Sequence, residues 1–498
     1  MVHRKLWVGW AWLVVVSCFA GRAAVPNLEH LYPAGGLPGT TNALAISGKS
    51  EPWPPRFWVE GEGVVIQATT NVGKAEVAIA TNAVPGPRWV RAYNDEGASD
   101  PRLFVVGVGN QISDVEPNGS FASPQMISAL PVTIQGRLDK NGDVDSFGVA
   151  VREGEWLEAR VDAYSLMSKL DAVLRLVSTN GQPLAWNHDF DTFDPRVSWR
   201  APSAQTVVVQ VFGFKYPADS SIQLTGGEGA VYQLHLAASS EIPEAFAGVR
   251  PVETSEVFGL PLKVRGALAS SASEGRYRFR ATKDETIECR VDAANLGAGW
   301  DARLRIEDSA GKELAQNDDG EGTSDPRLDW KAPADGEYVA VVGSRLRSGS
   351  ADLRYGLTVD RGVPSIRATS PVSSWVVSAG GTNEVKVAIV RRHGYTNAVE
   401  VGFQALPRGV TSAMESVDAG KNEVTLKVVA RPDAGAFSGP VEIQVIPVGG
   451  GRTNRVAFDL VSRGENNGVP QGYSKLLRES TEALWLTVRS AAAAAPKP

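Results

Sequence analysis

The sequence predicts an all-β protein made of tandem β-sandwich domains. Three observations predict it. Apolar residues alternate with small or polar ones in runs of about five to eight residues, the period of a half-buried strand. Turn formers punctuate these runs, the chain holding 51 glycines and 30 prolines. A long central segment repeats at an offset of 130 residues, Asp171 matching Asp301 and Gly181 matching Gly311, as in a duplicated domain. No long helical period is visible in the repeats.

The chain opens on an export pattern. MVHRK is basic, LWVGWAWLVVV is apolar, and SCFAGRAA ends in small residues, so residues 1–24 read as a signal peptide. The apolar stretch is too short for a membrane span, and no later segment approaches the ~20 apolar residues that one needs. The expected location is secreted, periplasmic or cell-surface. VVSC resembles a bacterial lipoprotein cleavage box with Cys18 as lipid anchor, whereas AGRAA suits ordinary cleavage; both readings stay open.

At 498 residues the chain is too long for one core and suggests about three or four domains. With 43% hydrophobic and 21% charged residues it has the composition of folded protein. Loss of residues 1–24 removes Arg4, Lys5 and Arg22 and no acid, taking the net charge from −6 to −9. An acidic chain without a basic cluster argues against nucleic-acid partners. The second cysteine, Cys289, alternates with Ile287 and Val291, the pattern of a small buried apolar residue.

The elements follow in order. Residues 25–108 hold FWVEG, VVIQA, AEVAIA and RWVRAY, the length of one immunoglobulin-like sandwich. Residues 113–238 and 250–360 are the two copies of the repeat. In the first, Phe147, Val149 and Val151 alternate, then Leu157, Ala159 and Val161, then Val207, Val209 and Val211; Tyr277, Phe279, Ile287, Cys289 and Val291 continue the pattern in the second. After one inserted residue, Asp194-Pro195-Arg196 matches Asp325-Pro326-Arg327, and Trp199 matches Trp330. Residues 364–462, with NEVKVAIV and EVTLKVVA, form a further immunoglobulin-like sandwich. Residues 463–498 read as linker and tail, with SKLLRESTEALWLTV open to a short helix or a completing strand. The expected arrangement is four independent sheet bundles in a row.

The first copy resembles the bacterial pre-peptidase C-terminal domain family. The resemblance rests on DVEPN at 114–118, GDVDSF at 142–147, LDAVLRLVSTNG at 170–181 and the Asn187-His188-Asp189 loop. The second copy keeps DARLRIEDSAG, QNDDG and DGEYVAVV but has lost the opening motif, and SEGRYRF replaces DVDSF. The resemblance implies jelly-roll-like sandwiches that accompany secreted hydrolases and are not catalytic. Some members hold calcium between an acidic linker and a second acidic pair. Carried over, this places a metal at Asp114, Glu116, Asn118, Asp143 and Asp145. Alternate residues of an extended chain share a side, and calcium takes six to eight hard oxygens. A solvated linker and an Asp/Gly turn without metal is the competing reading. Gly119 stands where many members carry another acid, and the second copy lacks the ligands. The Asn187, Asp189 and Asp191 loop, echoed by Asn317, Asp318 and Asp319, reads as hairpin turns. Trp53 and Trp58 in EPWPPRFW are less constrained and offer an aromatic sugar platform.

Reaction machinery is not legible. No G-x-S-x-G elbow and no H-E-x-x-H is present. His30, His188, His235 and His393 are scattered over three of the bundles. The expectation is a non-catalytic binding, adhesion or spacer protein of the cell exterior that engages extracellular protein or polysaccharide. The alternatives are an accessory or substrate-targeting part of a secreted peptidase or glycosidase system, and a carbohydrate-binding protein.

Overall fold

The computed structural model describes residues 23–188, 190, 193–215, 223–241, 256–270, 272–293, 300–320, 325–345, 353–463 and 475–490. The signal sequence with Cys18, and Asp189 and Asp191, lie outside the described residues. Every regular element among the described residues is a β-strand, so the fold is all-β as predicted.

Alternation explains why. In the strand Lys74–Ile79, Ala75, Val77 and Ile79 are buried while Lys74, Glu76 and Ala78 are exposed. One face of the strand enters a core and the other meets water. That core, with Leu28, Leu44, Val90 and Phe104, fills the space between two sheets at the start of the chain.

The first repeat unit pairs two sheets. One runs Asn110–Ser113, Val132–Arg137, Val231–Ser239, Trp156–Asp162, Arg196–Arg200. The other runs Gln125–Met126, Asp145–Val151, Gln205–Lys215, Leu170–Ser178, Pro183–Asn187. Phe147, Leu174, Val209 and Leu234 pack between them. The entering chain pairs in parallel with the first sheet at Asn110–Ser113 and with the second at Gln125–Met126. Residues 114–118 therefore cross from one sheet to the other at the end of the sandwich.

The second unit repeats this plan around Phe279, Ile306, Val342 and Leu357. Cys289 is buried in it, and burial pushes its thiol pKa far up. The Asp-Pro-Arg signature acquires a reason here. Asp194 accepts the N–H groups of Ala163, Tyr164 and Ser165 at 2.7, 2.7 and 2.9 Å, and Asp325 accepts that of Ala293 at 2.9 Å. The same carboxylate holds the same loop in both copies.

Two expectations are corrected. Within the stretch read as linker and tail, Lys475–Thr481 pairs with Asn454–Arg463, and Leu484–Arg489 lies between Ser374–Ser378 and Phe437–Val441 as the middle strand of a sheet. Leu484, Leu486 and Val488 complete the last core. Nor do the units form a simple row, because the first and last pack on each other. Arg91, wholly buried, donates to Ser99 O at 2.6 Å, Ser373 Oγ at 3.1 Å, Ser373 O at 3.3 Å and Ala483 O at 2.7 Å. Burial lowers its pKa to about 10, against the pull of Asp100. Trp485 packs beside Tyr93 and Trp58, ring centres 5.0 and 5.6 Å away. Leu166 and Met167 of the first repeat unit join the same junction with Trp89, Leu103, Leu460 and Ala483.

Trp58 is thus partly buried against Trp485. Trp53 is also partly buried, its indole donating to Thr69 O at 2.7 Å. Neither forms the open platform that the sequence offered. Trp330 is buried and Trp199 packs on the first unit's core, which gives the two repeat tryptophans a core role.

Candidate metal centre

The crossing segment 114–118 meets the turn before Asp145–Val151 at the end of the first repeat unit. Ligand oxygens of Glu116, Asp143 and Asp145 all lie within 4.8 Å of one another. The backbone fixes this approach: Ser146 N donates to Asn118 O at 3.1 Å, and Asn118 N to a Glu116 carboxylate oxygen at 3.1 Å. Gly119 passes so close that a Cβ there would stand 3.3 Å from Val144 O.

Asn118 is wholly buried, and neither atom of its amide has a hydrogen-bond partner. Asp145 is also wholly buried; Oδ2 accepts the Tyr232 hydroxyl, while Oδ1 has no partner. Asp143, 7% exposed, accepts Asp139 N on Oδ2 at 2.7 Å. A buried polar atom without a partner costs about 1–3 kcal/mol, so two such residues beside two more carboxylates are costly unless something occupies the space between them.

Electrostatics point the same way. Burial pushes the Asp145 carboxyl up to about 8; the Tyr232 hydroxyl opposes this, and the charges of Asp114, Asp143 and Glu116 reinforce it. Burial also raises Asp114, against its hydrogen bonds from Tyr32 and Arg137. Tyr232 is held far above its ordinary value by burial and by Asp145. A divalent cation would reverse these terms by favouring every ionised carboxylate.

Three of the five residues named from sequence lie together, Glu116, Asp143 and Asp145, and the backbone of Asn118 bonds Glu116 and Ser146 next to them. Asp114 is not in the trio of acids. Its Oδ1 accepts the Tyr32 hydroxyl at 2.6 Å and its Oδ2 accepts Arg137 N at 3.1 Å. Arg137 also lies over the Tyr32 ring, 4.6 Å from its centre. Asp114 therefore ties the site to the N-terminal unit. Sequence reasoning missed Tyr32 and Tyr232. For Tyr32 no local signal exists, since it lies 82 residues from Asp114. For Tyr232 the signal was its repeat partner Tyr355.

The second copy cannot hold the same metal. Gly275 stands at the position of Asp145, and Tyr277, on the position of Phe147, bonds the hydroxyl of Tyr355. The Asn–Asp loops act as turns where described: Asn187 Oδ1 accepts Arg196 N at 3.0 Å, and Asn317 Nδ2 donates to Arg327 O at 2.7 Å.

No family model matches the chain, and no curated protein matches it. Among solved structures it is similar to the pre-peptidase C-terminal domain of a collagenase from Bacillus anthracis, with 18% identity over 22% of this chain and 98% of that one and a TM-score of 0.18. A protein from Eubacterium rectale named only as secreted shows 12% identity over 44% of this chain and 81% of that one, TM-score 0.20. Domains 1–6 of the surface layer protein SbsC show 10% identity over 88% of this chain and 55% of that one, TM-score 0.15. At such identities and scores these likenesses add nothing to the strand-rich fold that the chain itself displays.

Proposed function

We propose that this chain is an exported, non-catalytic binding or spacer protein of the bacterial cell exterior, and that its first repeat unit holds calcium. The observation that carries the calcium reading is the buried, unpartnered amide of Asn118 and Oδ1 of Asp145 beside Asp143 and Glu116. All four offer hard oxygens, the donor type that calcium takes at about 2.3–2.6 Å, with water and backbone carbonyls filling its remaining positions. Bound there, calcium would neutralise the crowded carboxylates and fix the crossing segment. Asp114 and Tyr32 would pass that order to the N-terminal unit.

The spacer reading is supported by the way the units join. Buried polar and aromatic contacts hold the first and last units together, so the chain would present its surface loops from a firm body. Export rests on the sequence pattern of residues 1–24.

Calorimetric titration of the mature chain with calcium tests the metal. A single saturable site that also raises the unfolding temperature is expected; no heat and no shift reject it. Pull-down on insoluble polysaccharides and collagen, with and without chelator, tests binding. Turnover of any peptide or glycan in an activity screen would overturn the non-catalytic reading.

A further inference from the structure

A second site lies at the opposite joint, between the second repeat unit and the C-terminal unit. His393 follows the strand Thr382–Arg392 and takes a left-handed backbone, φ 53°. Such a conformation is uncommon for a residue other than glycine. It aims the imidazole across the joint, where the side chain is only 7% exposed. The connector leaves room for the ring: a Cβ on Gly362 would stand 2.8 Å from it.

The ring's two nitrogens are in opposite situations. Nδ1 lies 2.9 Å from Val363 O. A carbonyl only accepts, so Nδ1 carries the hydrogen, and Nε2 of the neutral ring keeps its lone pair. Nε2 is buried, and no hydrogen bond reaches it. It faces Asp329 Oδ2 at 3.2 Å and Glu288 Oε2 at 4.0 Å. These acids sit opposite each other on the paired strands Thr286–Asp292 and Arg327–Lys331 of the second repeat unit. A ring nitrogen that faces two carboxylates is satisfied by a cation, either a proton on Nε2 or a metal ion. A ring whose other N–H is held by a backbone carbonyl is oriented as metal-ligating histidines are.

We propose that His393, Asp329 and Glu288 form a site for a divalent transition metal, with zinc the best match, that pins the second repeat unit to the C-terminal unit. One imidazole nitrogen with two carboxylate oxygens suits zinc at about 2.0–2.2 Å and leaves a fourth position for water. The all-oxygen set of the first unit suits a hard cation instead. Among the described residues only that first set already has its ligand atoms within 4.8 Å of one another, so here the carboxylates close on the metal by side-chain rotation. Glu288 and Asp329 are 48% and 53% exposed and have the space to turn. The rival cation is a proton on Nε2. Burial opposes a charged ring, but Val363 O, Asp329 and Glu288 outweigh it and raise the His393 pKa.

The test uses the full mature chain, stripped with chelator and titrated with zinc chloride, then with cobalt(II) as a spectroscopic probe. One zinc per chain, a raised unfolding temperature and cobalt ligand-field bands are expected. His393→Gln and Glu288→Gln should each weaken zinc binding about tenfold or more and shift the cobalt spectrum. Asp145→Asn should change neither, which separates this site from the calcium site. Glu288 is half exposed, so its loss of binding is not a loss of folding. Absence of stoichiometric zinc binding, or unchanged affinity in His393→Gln, overturns the proposal. In that event the joint is held by a protonated His393, seen as an imidazole titrating above its ordinary range in metal-free protein.

Discussion

The hydroxyls of Tyr277 and Tyr355 lie 2.7 Å apart in the core of the second repeat unit, on the positions that Phe147 and Tyr232 hold in the first. The frame around the two pairs is the same. A Cβ on Gly136 would come within 2.1 Å of the Tyr232 ring, and one on Gly266 within 2.4 Å of the Tyr355 ring, so each copy keeps a bare glycine beneath its tyrosine. Gly275 takes the place of Asp145 and a phenol takes that of Phe147, so the second copy has a neutral hydrogen-bonded pair where the first has a charged recess. The duplicated unit thus keeps its fold while only one copy keeps the chemistry of a cation site.

Asp145→Asn tests that reading directly. Calcium should no longer raise the unfolding temperature of the variant. In chelator the variant should be at least as stable as the parent near neutral pH, since Asp145 titrates near 8 and is largely protonated there. Scanning fluorimetry with and without calcium checks both statements. A full calcium response in the variant would remove Asp145 from the site.

Much of the fold was legible because period-two alternation and turn residues are local. Val77 or Phe147 shows its burial through neighbours two residues away. The candidate cation residues could be named because Asp114 to Asn118 and Asp143 to Asp145 are two short runs that the family resemblance singles out. What escaped was long-range. Nothing near Arg91 announces that Ala483 O will accept its hydrogen bond, 392 residues on. SKLLRESTEALWLTV stayed open between helix and completing strand, because a strand that joins a distant sheet carries no turn back to its partners. His393 sits in a turn, and only packing brings it to Asp329 and Glu288.

Stability should depend on pH in a direction set by the acidic recess. Burial chiefly raises Asp145 to about 8 and also raises Asp114. The native state therefore holds more protons than the unfolded chain between about 4, the ordinary carboxyl value, and about 8. Stability contributed there falls as pH rises through this window. In chelator the unfolding temperature should decline from pH 5 to pH 8. Saturating calcium should flatten or reverse that slope, because the metal competes with the protons. A slope indifferent to calcium would count against metal at this recess.

Cys289 should be silent until its unit opens. It has no exposed surface, and burial, with Asp329 and Glu288 adding to it, pushes its thiol pKa far up. Thiolate is the reactive form, so a chromogenic disulfide reagent should label no thiol of the mature chain in buffer, and one in denaturant. Its labelling rate against denaturant then reports opening of the second repeat unit alone. Rapid labelling in buffer would show that this core opens readily.

Arg91 is the residue on which the contact between the two ends depends most. Its guanidinium donates to four acceptors in a wholly buried junction, and Ser373 Oγ passes the contact on to Asp100 Oδ1 at 2.8 Å. Arg91→Ala removes every donor at once; Ser373 O keeps the N–H of Trp485 at 3.0 Å, but Ala483 O and Ser99 O lose the guanidinium. Buried acceptors left in this way cost about 1–3 kcal/mol each, so a loss on the order of 3 kcal/mol is expected for the junction. The first and last units have their own cores and should remain folded, so the loss should appear as separation. Small-angle scattering should show a larger radius of gyration in the variant, while circular dichroism keeps its strand signal. Arg91→Lys, which keeps the charge but not the planar fork, should fall between the two. An unchanged scattering profile for Arg91→Ala would mean that Trp485, Trp58 and Tyr93 hold the ends together without it.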